Sequence, residues 1–210
     1  MKFISSIASI AFLAMLHTNQ AQADVIVDTG TPTSSTGGVV LGSGEWLAAE
    51  FTTTQAWNIG SIQGYISNNN DDNQIGNTFT ITVYDDLNNH PDLVDPVEFS
   101  QQATFNGNGW NGLSGINNNA GFSLGAGTYW VAFEIGPNND TFQGTMPVPS
   151  ANPLATAWYD GISTSGYNTV TGTGYEIGVQ IASAVPLPPS LLLFVSGALA
   201  IGRFGKRKSI

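Results

Sequence analysis

Apolar and polar residues alternate along this chain in short bursts with a period of two. The clearest burst runs from Thr78 to Tyr84, where Phe79, Ile81 and Val83 alternate with threonines. Thr128 to Ile135 and Tyr175 to Ile181 follow, the latter placing Tyr175, Ile177, Val179 and Ile181 on one face. Successive side chains of a strand point to opposite faces, so this spacing predicts β-strands with a buried side. Weaker runs predict strands over Trp46 to Thr52, Trp57 to Ile66, Val97 to Phe105 and Ala155 to Asp160. Between them lie stretches rich in Asn, Gly or Asp: Asn68 to Asn73, Asn88 to Asp92, Asn106 to Gly112, Asn117 to Gly121 and Gly136 to Asp140. Gly, Asn and Asp are favoured in turns, Gly and Asn because they tolerate left-handed backbone angles, so these stretches are expected to be connections. No long segment from Asp24 onward has helical periodicity, which leaves no place for the crossover helices of a parallel α/β fold. No fixed-period repeat is present either, which removes propellers and solenoids. The expected class is all-β, an antiparallel β-sandwich of jelly-roll kind, flanked by an N-terminal signal peptide and a C-terminal hydrophobic sorting helix.

The two ends break this pattern. Met1 to Ala23 combines the charge of Lys2, an apolar stretch from Phe3 to Leu16, and small residues at Ala21-Gln22-Ala23. Those three parts predict a secretory signal peptide cleaved after Ala23, with the mature chain beginning at Asp24. At the other end Val185-Pro186-Leu187-Pro188-Pro189 opens onto an apolar run to Gly202, closed by Arg203, Lys206, Arg207 and Lys208. From Leu187 that run is about sixteen residues, against roughly twenty for a comfortable membrane span. Prolines suit the first turn of a helix, and a Lys/Arg cluster stays on the cytoplasmic side. The tail is therefore a short membrane stop with the acidic segment outside and the basic end inside.

A proline motif, an apolar span and a basic end in that order resemble the PEP-CTERM sorting signal of Gram-negative bacteria. The family's usual tetrad is Val-Pro-Glu-Pro, and here Val185, Pro186, Leu187 and Pro188 stand in its place, with Leu187 where the acid would be. The resemblance covers about twenty-five residues. It implies recognition by an exosortase, a multi-spanning membrane cysteine protease, which removes the tail during export through the inner membrane to the surface or polysaccharide matrix. A second resemblance lies within Glu45 to Glu134, carried by Trp46-Leu47-Ala48-Ala49-Glu50-Phe51-Thr52, Ile62-Gln63-Gly64-Tyr65-Ile66, Phe79-Thr80-Ile81-Thr82-Val83-Tyr84-Asp85 and Ala126-Gly127-Thr128-Tyr129-Trp130-Val131-Ala132-Phe133-Glu134. These segments are similar to anchored bacterial surface domains with exchangeable sorting tails, and the similarity implies a β-sandwich without assigning an activity.

Charge sharpens the picture. The chain has five Lys and Arg, at position 2 and from Arg203 to Lys208, while all fifteen acids lie between Asp24 and Glu176. A domain over residues 24–184 then has about 160 residues, enough for one core. Its formal charge is about minus fifteen, which repels nucleic acid and anionic surfaces. Lysine nucleophiles, arginine clamps and internal salt bridges are excluded with the bases, and the absence of cysteine excludes disulfides and thiol chemistry.

Candidate chemistry is sparse. Asn68-Asn69-Asn70-Asp71-Asp72-Asn73 gathers oxygen ligands of the kind calcium takes, with Asn68, Asp71 and Asp72 as the candidate donors. The EF-hand spacing is absent, and the same composition makes an ordinary solvated turn. Asp85, Asp86, Asp92 and Asp95 form a looser acidic set with the same two readings. Most aromatics fall on strands and are expected to pack. Trp110 is expected in a loop among amides and glycines, where an indole could stack on a sugar face, so it is the candidate glycan contact. His90 precedes Pro91 in an expected turn and reads as a solvent-exposed histidine rather than part of a triad. Glu50 and Glu134 are the first candidates for a paired-carboxylate glycosidase. The leading reading is a non-catalytic exported surface or matrix protein linked to exopolysaccharide or biofilm. The alternatives are a carbohydrate-binding module and a glycoside hydrolase.

Overall fold

A computed structural model describes residues 22–34, 38–68, 73–116, 122–136, 138–160, 166–170 and 174–185. Asp24–Ala184 forms one compact unit, and its described residues are strands and turns without a helix. One sheet runs in the order β1 (Val25–Asp28), β13 (Val179–Ser183), β4 (Trp57–Ile66) and β7 (Gly109–Ser114), with β8 (Ser123–Leu124) also on β4. The other runs β12 (Tyr167–Val170), β11 (Thr156–Asp160), β3 (Glu45–Thr53), β9 (Gly127–Glu134), β5 (Thr78–Asp85) and β6 (Phe99–Thr104). β2 (Val39–Leu41) pairs with β10 (Gly144–Met146), and a bridge from Ser67 to Thr145 joins that ribbon to the end of β4. Every one of these pairings is antiparallel.

The period-two pattern explains which sides meet. Phe79, Ile81 and Val83 of β5, Val131 and Phe133 of β9, and Leu47, Ala49 and Phe51 of β3 are buried in one cluster. Ile62 and Ile66 of β4, with Val179 and Ile181 of β13, come to the same cluster from the other sheet. Burying each such side chain stabilises by roughly 1.5–3 kcal/mol. With no cysteine to staple the domain, this core must hold it. Where β4 crosses β9 the approach is close: a Cβ built on Gly64 would lie 2.6 Å from Cε1 of Phe133. Only hydrogen fits there.

Expected strands over Thr78 to Tyr84, Thr128 to Ile135, Trp46 to Thr52, Trp57 to Ile66, Val97 to Phe105 and Ala155 to Asp160 are present as β5, β9, β3, β4, β6 and β11, with small shifts at the ends. The expected Tyr175 to Ile181 strand begins only at Val179. Ahead of it the Ile177 amide donates to the Tyr175 carbonyl at 2.8 Å, a tight turn that takes those residues off the ladder. Ile177, Val179 and Ile181 are nonetheless all buried, as the alternation requires. The Asn88 turn is built as expected. Asn88 and Asn89 have φ of 56° and 65°, the left-handed pair that a two-residue hairpin turn needs, and the Leu87 and His90 backbones bond each other across it.

The stretch Asn106 to Gly112 departs from expectation, because from Gly109 it is strand β7, paired with β4 from Ile66 to Ser61. Glycines and asparagines hid that strand, since its register is held by the partner rather than by alternating apolar residues. Among the described residues no helix is long and apolar enough to cross a membrane. The signal segment through Ala21 and the tail from Pro186, with Leu187, Pro188, Arg203, Lys206, Arg207 and Lys208, lie outside the described residues. Ala23 and Val185 are at the edges of what is described.

Candidate functional site

The side of the six-stranded sheet away from the main core has chemistry of its own. Ala48, Ala132 and Ala157, on β3, β9 and β11, leave a shallow trough there. Tyr84, Trp130 and Tyr167 fill it, with Trp46 and Tyr159 packed at its border. Trp46 stacks on Tyr159 with ring centroids 4.3 Å apart, and its indole Nε1 donates to the Ile135 carbonyl at 2.8 Å. Among these rings sits a carboxylate. Glu134 is 2 % exposed, and its oxygens accept from Thr82 Oγ1 at 2.7 Å, Tyr84 Oη at 2.8 Å and Tyr167 Oη at 2.8 Å.

Burial pushes the Glu134 carboxyl above its ordinary range, the three hydroxyl donors pull it down, and nearby Asp140 adds a further upward push. Burial and the Glu134 charge likewise hold both phenols above the usual tyrosine value. Asp140 is itself engaged, taking Thr80 Oγ1 at 2.8 Å, Gln102 Nε2 at 2.9 Å and the Gly136 amide at 3.2 Å. The arrangement ties β12, through Tyr167, to β5 and β9 by hydrogen bonds to one buried acid. It is sealed from solvent, so it can hold strands together but cannot meet a polymer.

Glu50 lies on the same side of the sheet as Glu134, yet it pairs with Trp130, four residues along β9. At the strand rise that is about 13 Å, beyond the roughly 5–9.5 Å over which two carboxyls cooperate in glycoside hydrolysis. Burial, then Asp86, raises the Glu50 carboxyl, while Asp86 accepts the Trp130 indole N–H at 2.8 Å. The structure therefore does not bring Glu50 and Glu134 together as a pair. His90 is half-buried in its turn rather than fully exposed as expected.

Trp110 needs a different description from the sequence-based one. It is on β7, directly opposite Tyr65 of β4, and the rings meet edge-on at 5.4 Å with an interplanar angle of 89°. Ile62 and Ile66 face the core, so Tyr65 and with it Trp110 occupy the outer side of the sheet, both half-buried. Gln63, two residues before Tyr65, shares that side and is opposite Gln180 of β13. Asn111, 2 % exposed, fixes the turn before Trp110: its Nδ2 donates to the Gly107 and Gly109 carbonyls at 2.7 and 2.9 Å. Its Oδ1 accepts the Asn106 amide at 2.8 Å.

Of the candidate calcium donors, Asn68 is described, and its amide donates to Asn108 Oδ1 at 2.9 Å. Asp71 and Asp72 lie outside the described residues. Among the described residues no group of three or more His, Cys, Asp or Glu is placed to hold a metal. In the second acidic set Asp92 accepts the Val94 and Asp95 amides, at 2.8 and 3.2 Å, as a turn residue does. An open cleft beside β1 is lined by Ile26, Phe51 and Leu154 together with Asp28, Thr29, Thr52 and Asn152. Compared with known proteins, the chain matches no family model and no curated relative.

Sequence reasoning named Glu134 as a candidate catalytic acid on a strand and did not foresee its burial among tyrosines. A signal was present. Tyr129 to Phe133 is apolar without interruption, and a strand that does not alternate is covered on both faces.

Proposed function

We propose that this chain is an exported, non-catalytic surface or matrix protein whose acidic domain passes through the inner membrane and whose C-terminal tail is processed by an exosortase. One observation carries the reading: all the Lys and Arg lie at position 2 and from Arg203 to Lys208, while the compact unit between them has none. Such partition orients both apolar ends and leaves the middle free to cross. A structural role also fits the carboxylates, since Glu134 is sealed among tyrosines and Glu50 stands apart from it.

In this reading the two main sheets pack as a jelly-roll sandwich. Its support is the pairing: with β1, β3, β4, β5, β6, β7, β9 and β13 taken in order, first pairs with last, second with seventh, third with sixth and fourth with fifth. That is one long antiparallel hairpin wound on itself, the Greek-key logic of the jelly roll. The test is fractionation of the producing cell with and without its exosortase gene. Export with the enzyme and membrane retention without it supports the proposal, and folded protein in the cytosol of either strain refutes it.

A second reading is that the outer side of the first sheet contacts extracellular polysaccharide, favoured by the paired, half-buried Trp110 and Tyr65 beside Gln63. Aromatic faces flanked by amides suit sugar rings. Titrating oligosaccharides of the producer against tryptophan fluorescence should give a saturable change that Trp110→Ala abolishes. Flat titrations of the unaltered chain retire this reading and leave the export proposal standing.

A further inference from the structure

Three Asn-Gly dipeptides fall within seven residues: Asn106-Gly107, Asn108-Gly109 and Asn111-Gly112. An asparagine followed by glycine can lose its amide spontaneously, because no side chain obstructs attack of the next backbone nitrogen on its Cγ. The three are chemically alike in sequence but not in structure. Asn111 is buried, both its amide hydrogens are used on carbonyls, and its Oδ1 holds the Asn106 amide. Gly112 is fixed as well: a Cβ there would collide with the Ile62 carbonyl oxygen. Asn108 is exposed, but its Oδ1 accepts from the Asn68 amide, and Gly109 is already paired in β7. Asn106 is exposed; its backbone is held by Asn111, but among the described residues its side chain makes a single long bond, 3.3 Å from Nδ2 to the Thr104 carbonyl, and Gly107 precedes the strand with open space where a Cβ would stand.

We propose that Asn106 is a site of spontaneous deamidation in the folded protein, with Asn108 slower and Asn111 protected. The Gly107 nitrogen, giving up its proton, forms a bond to Asn106 Cγ, and the side-chain nitrogen leaves as ammonia. Water then opens the cyclic imide at either carbonyl, yielding aspartate or isoaspartate. No oxidant or reductant takes part. The product exchanges NH for O, a gain of about 1 Da and one negative charge. In the isoaspartyl form the backbone gains a carbon just before the turn that presents Trp110, so the change ages the outer aromatic face rather than the core.

The test uses the full chain, aged at mildly alkaline pH and then cut with chymotrypsin, which cleaves after Phe105, Trp110 and Leu113. Peptide 106–110 should gain the mass at least about tenfold faster than peptide 111–113, and fragmentation should place it first on Asn106. In concentrated urea, where the fold no longer protects, peptide 111–113 should react at a rate comparable with 106–110. Asn106→Gln should remove the early shift. Reaction first at Asn108 or Asn111, no reaction in the folded chain, or an unreactive Asn111 in urea would each overturn the proposal.

Discussion

Tyr167→Phe removes a single oxygen from the Glu134 network and leaves the ring to pack as before. The lost contact is a 2.8 Å hydrogen bond from a buried phenol to a carboxylate that is 2 % exposed. A bond to a charged acceptor is worth about 1.5–3 kcal/mol and one to a neutral acceptor about 0.5–1.5 kcal/mol, so the cost depends on whether Glu134 is ionised. Because burial raises the Glu134 carboxyl above its ordinary 4.5, its contribution to stability is fully present below that value and is lost as pH rises through the folded one. The Tyr167 hydroxyl limits that loss by donating to the ionised form. Removing it raises the folded value further, and the variant then loses more stability than the parent on the alkaline side. Urea unfolding followed by tryptophan fluorescence should place the penalty at about 2 kcal/mol at about pH 8 and about 1 kcal/mol at about pH 4. A penalty that is equal at both ends, or larger in acid, would refute the account of Glu134 as a buried acid stabilised by phenol donors. Tyr84→Phe should behave in the same way, since its hydroxyl reaches the same Oε1 at the same distance.

Gly64→Ala puts a methyl group 2.6 Å from the Phe133 ring, so it should cost about 1–3 kcal/mol of unfolding free energy by overpacking; an unchanged urea midpoint would contradict the close approach of β4 to β9. At the second acidic set calcium should have little effect, because Asp86 and Asp92 already accept from an indole and from backbone N–H groups; a calcium-dependent rise in the unfolding midpoint that Asp92→Asn removes would reassign that set as ligands.

The large strands were legible because they alternate. β5 reads Thr-Phe-Thr-Ile-Thr-Val-Tyr, and each inward residue is buried against the other sheet. β7 was not legible. Its sequence, Gly-Trp-Asn-Gly-Leu-Ser, has turn composition, and only pairing with Ile66 to Ser61 across the ladder makes it a strand. β2, β8, β10 and β12 are two to four residues long, too short for a period to be read. The second face of the six-stranded sheet was hidden for another reason. Glu134 lies far in sequence from Tyr84 and Tyr167, at separations of 50 and 33 residues, so its donors are known only once strand order is known. The Trp110 assignment depended on the same missing fact. Exposure was inferred from a loop, whereas the residue is half-buried against a tyrosine of the neighbouring strand.

Export with tail removal is the central claim, and the intact mass of the extracellular polypeptide tests it most directly. The expected species begins at Asp24 and lacks Arg203, Lys206, Arg207 and Lys208, so that it contains no basic side chain except His90. An extracellular form that retains those four residues would contradict the account.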